Sequence, residues 1–232
     1  MIDIHAHILP FVDDGAETLH AAMEMLYKAK EQGISKIILT PHALRKDMPF
    51  NLKKDIVPAF ETFVKQVQEQ GIDITLYLGQ EVAFHERIFD YLKEDQIVSL
   101  NNSDFVLFEL PYSECITSLE DLILNFSYHK YILIFAHIER YDYFNVKELE
   151  ALKGEFDIRF QVNANSILSK NSPYYKKAHK LLKKKLVDFV ASDGHYHRQT
   201  SLLDAYTLVS KKYGAAYADE IFQKNQEKII NP

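Results

Sequence analysis

Two histidines, His5 and His7, stand two residues apart in the opening run MIDIHAHILPFVDDG. Ile2, Ile4, Ala6 and Ile8 alternate there with Asp3, His5 and His7, the period-2 pattern of a strand, so both imidazoles project from one face and could grip an ion from one rigid element. One such pair is a weak signal, because many strands carry paired histidines by accident. Its weight comes from the residues that close the later β-rich runs. His42 follows the run 35–40, Glu81 follows 74–78, Glu109 closes 105–108, His137 follows 131–135, and Asp193 and His195 follow 186–190. With Asp14 from the first loop, the set numbers nine. A lone imidazole or carboxylate at a strand end is most often a surface residue, and acids such as Asp13 and Asp14 ahead of a helix can serve as caps. Independent accidents do not place the same ligand types at the same topological position in six strands of seven.

Nine nitrogen and oxygen donors exceed what one ion needs. They imply two or three divalent ions of the hard or borderline kind, with Mn²⁺, Fe²⁺ or Zn²⁺ as candidates. Closely spaced ions polarise a phosphoryl oxygen and neutralise the charge of an in-line displacement, which favours hydrolysis of a phosphate ester. Arg140 and Arg198 each follow a candidate ligand by three residues, and a guanidinium fork matches phosphate geometry. A surface salt bridge is the competing reading for each.

The elements that must position these groups alternate along the chain. Helical spacing of Leu19, Ala22, Met23, Leu26 and Ala29 predicts a helix over 17–32, ended by Gly33. Further helices are expected over 52–70, 85–93, 119–129, 145–153, 173–185, 201–213 and 217–228, with Pro58 near a first turn or a kink. The β-rich runs, including 158–162, lie between them with short connections and no Gly/Ser-rich linker. That order predicts an α/β fold in which seven parallel strands come near to closing a barrel, as a single domain over 1–232. Such a barrel gathers the C-terminal strand ends at one mouth.

Composition removes several function classes. A net charge of −6 and a pI of about 5.9 argue against a general nucleic-acid binder. No apolar run approaches the ~20 residues of a membrane span, and the N-terminus lacks the pattern of a signal peptide, so a cytoplasmic protein with no transmembrane segment is expected. Cys115 is the only cysteine, which excludes an intrachain disulfide. A cysteine-dependent phosphatase loop would need an arginine where Asp121 stands, so Cys115 reads as a packing residue rather than a nucleophile.

The string D-x-H-x-H-x-L-P-x-x-D-D-G, Asp3 to Gly15, resembles the polymerase-and-histidinol-phosphatase (PHP) superfamily, and more narrowly the bacterial manganese-dependent protein-tyrosine phosphatases of the CpsB/YwqE type. Thr40-Pro41-His42, Gly79-Gln80-Glu81, Phe108-Glu109, Ala136-His137 with Glu139-Arg140-Tyr141, Gln161-Val162-Asn163-Ala164 and Ser192-Asp193-Gly194-His195 match in order, over nearly the whole chain. The resemblance implies a distorted (β/α)7 TIM-like barrel of the PHP fold with three metal ions, Mn²⁺ foremost. His5, His7, Glu81 and Asp193 would serve one ion, His42, Glu109 and His137 a second, and Asp14 with His195 a third. Arg140 matches a phosphate-binding arginine. Arg140, Arg198 and His42 are the expected catalytic residues, although the stretch after His195 departs from the family's spacing to its second arginine, and His197 is an additional imidazole.

The implied substrate is phosphotyrosine on the tyrosine-rich tail of a cognate tyrosine autokinase that controls capsular or exopolysaccharide synthesis. A phenolate leaving group, with a parent pKa near 10, needs little protonation. The competing readings are a small-molecule phosphomonoesterase such as a histidinol phosphatase, and a catalytically silent PHP module that only binds a partner. The stretch 174–185 holds six lysines in an acidic chain and reads first as a solvated helix face, second as a docking surface. A homo-oligomer is compatible with the terminal helices.

Overall fold

The computed structural model describes residues 1–198 and 201–231. The strands are β1 (Ile2–Ala6), β2 (Lys36–Leu39), β3 (His42–Ala43), β4 (Thr75–Leu78), β5 (Glu81–Ala83), β6 (Phe105–Glu109), β7 (Ile132–Phe135), β8 (Arg159–Asn163) and β9 (Phe189–Ala191). The helices are α1 (Leu19–Glu31), α2 (Lys53–Glu69), α3 (Ile88–Lys93), α4 (Leu119–Tyr128), α5 (Val146–Glu155), α6 (Ala164–Leu168), α7 (Tyr175–Lys183), α8 (Leu202–Tyr213), α9 (Ala215–Asp219) and α10 (Asn225–Ile230).

All strand pairs are parallel, in the orders β1-β2-β4 and β3-β5-β6-β7-β8-β9. Two expected strands are interrupted. The run 35–40 ends at Pro41, which has no N–H for a ladder, and resumes as β3 at His42. Gly79 separates β4 from β5 where the backbone presses on Leu100: a Cβ there would meet Leu100 Cδ2 at 2.7 Å. Past the last strand the chain returns to the first, with His7 N donating to Gly194 O at 2.9 Å and Asp193 N donating to His5 O at 2.9 Å. The sheet is therefore strongly curled, and its C-terminal strand ends face a common centre.

Residues of successive strands alternate between two apolar clusters. Ile38, Leu107, Ile134 and Phe189 meet on the concave face, where Ile229 and Ile230 of α10 join them. Ile37, Leu39, Val106, Phe108, Leu133, Phe135 and Val190 form the other cluster with the helices. In β1 the expected alternation breaks. Asp3 pairs with Ile37 but Ala6 with Leu39, so β1 carries one extra residue, a bulge. Ile2 and Ile4 belong to the concave cluster, whereas Ala6 and Ile8 belong to the outer one. The bulge switches the phase, so His5 and His7 continue the face that Ile2 and Ile4 began rather than opposing it.

The helices form where their caps and apolar stripes direct. Thr18 Oγ1 accepts from Ala21 N and starts α1, which buries Ala22, Leu26 and Ala29. Asn145 and Glu148 form a capping box at α5. Pro58 lies a turn inside α2 rather than at its first turn, and the expected helix over 85–93 shortens to α3. The expected helix over 217–228 is α9 and α10 joined by a π-helical segment, Glu220–Lys224. Several lysines near α7 are engaged within the molecule. Lys177 Nζ donates to Tyr141 O at 2.5 Å, Lys184 pairs with Glu150 at 2.6 Å, and Lys185 Nζ donates to Tyr213 O at 2.8 Å. Among the described residues no helix is long and apolar enough to cross a membrane.

Candidate metal centre

The concave face changes chemistry along each strand. Leu107 is followed two residues later by Glu109, Phe189 and Ala191 by Asp193, and Ile4 by the two histidines beyond the bulge. The ends of six strand runs and the first loop bring the nine candidates into one connected cluster. Ligand atoms of His7, Asp14, His42 and His195 lie within 4.8 Å of one another, as do those of His5, His7 and Glu81, and those of His42, Glu81 and Glu109. His137 Nε2 stands 2.7 Å from Glu81 Oε1 and 3.7 Å from Glu109 Oε1. Asp193 Oδ1 stands 3.6 Å from nitrogens of His5, His7 and His195. All are buried except Asp14.

Several contacts suit a cation lying between these groups. His5 Nε2 and His7 Nε2 face one another at 3.1 Å. His42 Nδ1 and Glu81 Oε2 approach to 2.9 Å without hydrogen-bond geometry, so both are buried and unsatisfied. Five imidazoles, four carboxylates and no thiolate suit hard or borderline divalent ions.

The outward nitrogens are fixed. His5 Nδ1 lies 3.1 Å from Gln161 Oε1, His7 Nδ1 lies 2.7 Å from Asp13 Oδ2, and His137 Nδ1 lies 3.3 Å from the Tyr141 hydroxyl. Each pairing leaves Nε2 to face the centre, the usual device for orienting a ligating imidazole. Gln161 Oε1 also accepts from His137 N, and Gln161 Nε2 donates to Asn163 Oδ1 at 2.7 Å. Asn163 Nδ2 and Arg140 Nη2 each donate to Asp193 Oδ2 at 2.7 Å, which turns Oδ1 inward.

Backbone and electrostatics are strained to match. His137 and Asp193 hold left-handed φ of 34° and 49° at their strand ends. Gly15 packs on His7 so tightly that a Cβ would meet its carbonyl oxygen at 2.0 Å. Burial opposes charge throughout, yet His5 and His42 hold the Glu81 carboxyl far below its ordinary value. Burial likewise opposes charge at His42, but the Glu81 carboxylate draws its pKa up to about 9. Burial and then the Glu81 charge push Glu109 up to about 7. Without a cation the cluster is a set of competing charges.

The family model for capsular polysaccharide synthesis, CpsB/CapC, matches residues 1–231. The chain belongs to the CpsB/CapC family. The tyrosine-protein phosphatase CpsB of Streptococcus agalactiae serotype V is 31% identical over 240 residues, covering 99% of this chain and 98% of its own. The tyrosine-protein phosphatase YwqE of Bacillus subtilis strain 168 is 29% identical, covering 93% of this chain and 86% of its own. A solved structure from work on B. subtilis YwqE and Streptococcus pneumoniae CpsB, described as unique metal-dependent tyrosine phosphatases, superposes with TM-score 0.93 at 28% identity, over 100% of this chain and 94% of that one. An amidohydrolase shares the fold alone, with TM-score 0.50 at 14% identity over 100% and 99% of the two chains.

The structure brings all nine residues that the sequence singled out as metal-ligand candidates into one cluster, together with supporting residues to which the sequence reading gave no role. Arg140 and Arg198 line one cavity of about 260 Å³ with Asn163, Asn165, Asp193 and His197. Asp13 is not a helix cap, since Thr18 takes that place; it holds His7 and accepts from His42 N at 3.0 Å. Gln161 and Asn163 were visible as polar residues two apart at a strand end, the same signal as His5 and His7. Arg45 was visible too, because it follows His42 by three residues, as Arg140 follows His137 and Arg198 follows His195. Its Nη1 lies 3.1 Å from His42 Nε2.

Proposed function

We propose that this chain is a metal-dependent protein-tyrosine phosphatase, and the observation that carries the reading is the buried cluster of five imidazoles and four carboxylates beside an arginine-lined cavity. His5, His7, Glu81 and Asp193 would hold one ion, His42, Glu109 and His137 a second, and Asp14 with His195 a third, with Mn²⁺ the expected metal and Fe²⁺ or Zn²⁺ the alternatives. When bound, the ions supply Lewis acidity to the phosphoryl group and a nucleophile at neutral pH.

The chain's own residues do the rest. Arg140 is anchored through Nη2 to Asp193 and also bonds the Tyr112 side chain, which holds its guanidinium in the cavity that Arg198 lines as well, where phosphate oxygens would meet it. His42, ringed by Glu81, Asp14 and Arg45, would serve the centre as a neutral imidazole, and the Arg45 guanidinium 3.1 Å from its Nε2 brings positive charge to the same mouth. A departing phenolate, with a parent pKa near 10, requires no strong acid. Cys115 is no nucleophile in this scheme: burial raises its thiol, which donates to Ile116 O at 3.6 Å.

The whole chain, 1–232, reads as a single PHP domain with a distorted (β/α)7 barrel, in which β2 with β3 and β4 with β5 each count as one strand. Names of the relatives tie the family to capsule synthesis and to phosphotyrosine on protein; we go one step further, to the tail of a cognate tyrosine kinase in the cytoplasm as the physiological substrate. The deciding experiment compares a phosphotyrosine peptide with histidinol phosphate, after chelation and after adding back Mn²⁺, Fe²⁺ or Zn²⁺. Metal-dependent turnover of the peptide, unaffected by thiol alkylation, is expected. Turnover of histidinol phosphate alone would reassign the chain to small-molecule substrates.

A further inference from the structure

Beside the mouth, the segments that follow β5 and β6 enclose a groove of about 750 Å³. Its floor is apolar: Phe84, Phe89 and Ile116 are half-buried and pack on the main hydrophobic layer. A smaller hollow of about 230 Å³ lies against the metal centre between Arg45, Glu109 and Tyr112. Lys46, Phe84 and Pro111 line both spaces, so the groove is continuous with the mouth. Tyr112 marks its inner end, with its ring stacked on that of His137 at 5.7 Å between centroids. A phosphotyrosine that reaches the centre brings its own backbone to this rim, and its neighbours in sequence must lie on whatever surface borders it.

That surface has a definite charge. Glu86, Glu114 and Asp121 line the groove, are exposed, and make no ion pair among the described residues. Exposed carboxylates elsewhere are divided: Asp95, Asp90 and Glu150 pair with Lys53, Arg87 and Lys184, while others such as Glu61 and Asp73 are unpaired among the described residues, so what sets the groove apart is three carboxylates gathered around one apolar floor. Lys46, the only lysine or arginine lining the groove, sits at its junction with the mouth. Cationic side chains thus gather where phosphate goes, and unpaired anions with an apolar floor where the flanking chain goes.

Resting on the phosphatase reading, we infer that this groove seats the polypeptide next to the phosphotyrosine and selects flanks that combine an apolar residue with lysine or arginine. The apolar side chain takes the Phe84–Phe89–Ile116 floor, and the cation meets the three carboxylates. Charge pairs at such an exposed rim tune selectivity and association more than affinity, and salt screens them.

The test uses two phosphotyrosine peptides that differ only in a Lys-apolar or Glu-apolar flank, with the metal-loaded protein. The wild type should prefer the basic flank in kcat/KM by about tenfold at low ionic strength, and the preference should fade at about 0.5 M salt. The triple variant Glu86→Lys, Glu114→Lys, Asp121→Lys should reverse it while p-nitrophenyl phosphate turnover stays unchanged. Fluorescence anisotropy with non-hydrolysable phosphonate versions should give the same ratios as binding, and circular dichroism checks that the variant is folded. The milder Glu114→Gln should narrow the preference about twofold. A wild type indifferent to flank charge, or a triple variant that keeps the wild-type ratio, overturns the groove assignment alone when aryl phosphate turnover is intact. No turnover of any aryl phosphate with added metal overturns the phosphatase reading, and this inference with it.

Discussion

The two ends of the curled sheet are built from the same strands and obey opposite rules. At the lower end, Ile2, Ile4, Ile38, Leu107, Ile134 and Phe189 close on one another, and Ile229 and Ile230 seal them. Nothing there needs a partner beyond contact. At the mouth, two to four residues further along the same strand runs, polar side chains are buried and each depends on another: Gln161 on His5, Asp13 on His7, Asn163 and Arg140 on Asp193. The lower end gains free energy from burial, of order 25 cal/mol per Å² of apolar surface. The mouth gives some back, in left-handed backbone at His137 and Asp193 and in unsatisfied atoms on His42 and Glu81. The stable end thus holds the strained end in shape.

This contrast can be broken from either side. The largest effect should come from the mouth: His42→Ala or His137→Ala should lower kcat by about 1,000-fold or more with the circular dichroism spectrum retained, because each removes a donor to the metal centre. Loss of folded structure in both variants would contradict the separation of the two ends. At the lower end, Leu107→Ala or Ile134→Ala should cost about 2–5 kcal/mol in denaturant unfolding, while activity per folded molecule stays close to wild type. Gln161 supports His5 and sits beneath the mouth, so Gln161→Leu should weaken metal affinity by about 10–100-fold in competition with a chelator, with a smaller loss of stability.

A pH effect of stability should arise outside both ends. Burial lowers the pKa of His179, whose Nε2 donates to Ile167 O at 3.0 Å and whose Nδ1 accepts from the Tyr213 hydroxyl at 2.6 Å. The unfolded chain protonates near pH 6.5 while the folded chain still refuses the proton, so stability conferred by this site is present above about 6.5 and is lost as pH falls below it. His179→Gln should flatten that part of the stability profile, read from unfolding midpoints between about pH 7 and 5. The smallest effect is expected from Cys115→Ser, which should leave turnover within about twofold of wild type; a folded but dead variant would contradict the metal mechanism.

Much of this fold is legible in the sequence. Alternating β-rich and helical runs gave the parallel α/β order, and a histidine or carboxylate at the end of six of the seven runs pointed to the mouth where the structure gathers them, because element type and order are properties that periodicity reveals. Side-chain roles away from a strand end were not legible. Asp13 looked like a cap since an acid before a helix usually is one, and only the return of β9 onto β1 and the course of the first loop show that its carboxylate holds His7 and the His42 amide.

His5 and His7 draw the line most clearly. Their types and two-residue spacing, and so their fitness to bind an ion together, were set by the sequence alone. Which face they take was not, because the plain alternation opposes them to Ile2 and Ile4. The structure inserts a bulge between Asp3 and Ala6 that puts both pairs on the concave face. A bulge answers to the register demanded by the neighbouring strand and to closure of the sheet through Asp193 and Gly194. Those are long-range constraints, and a local pattern of residues does not contain them.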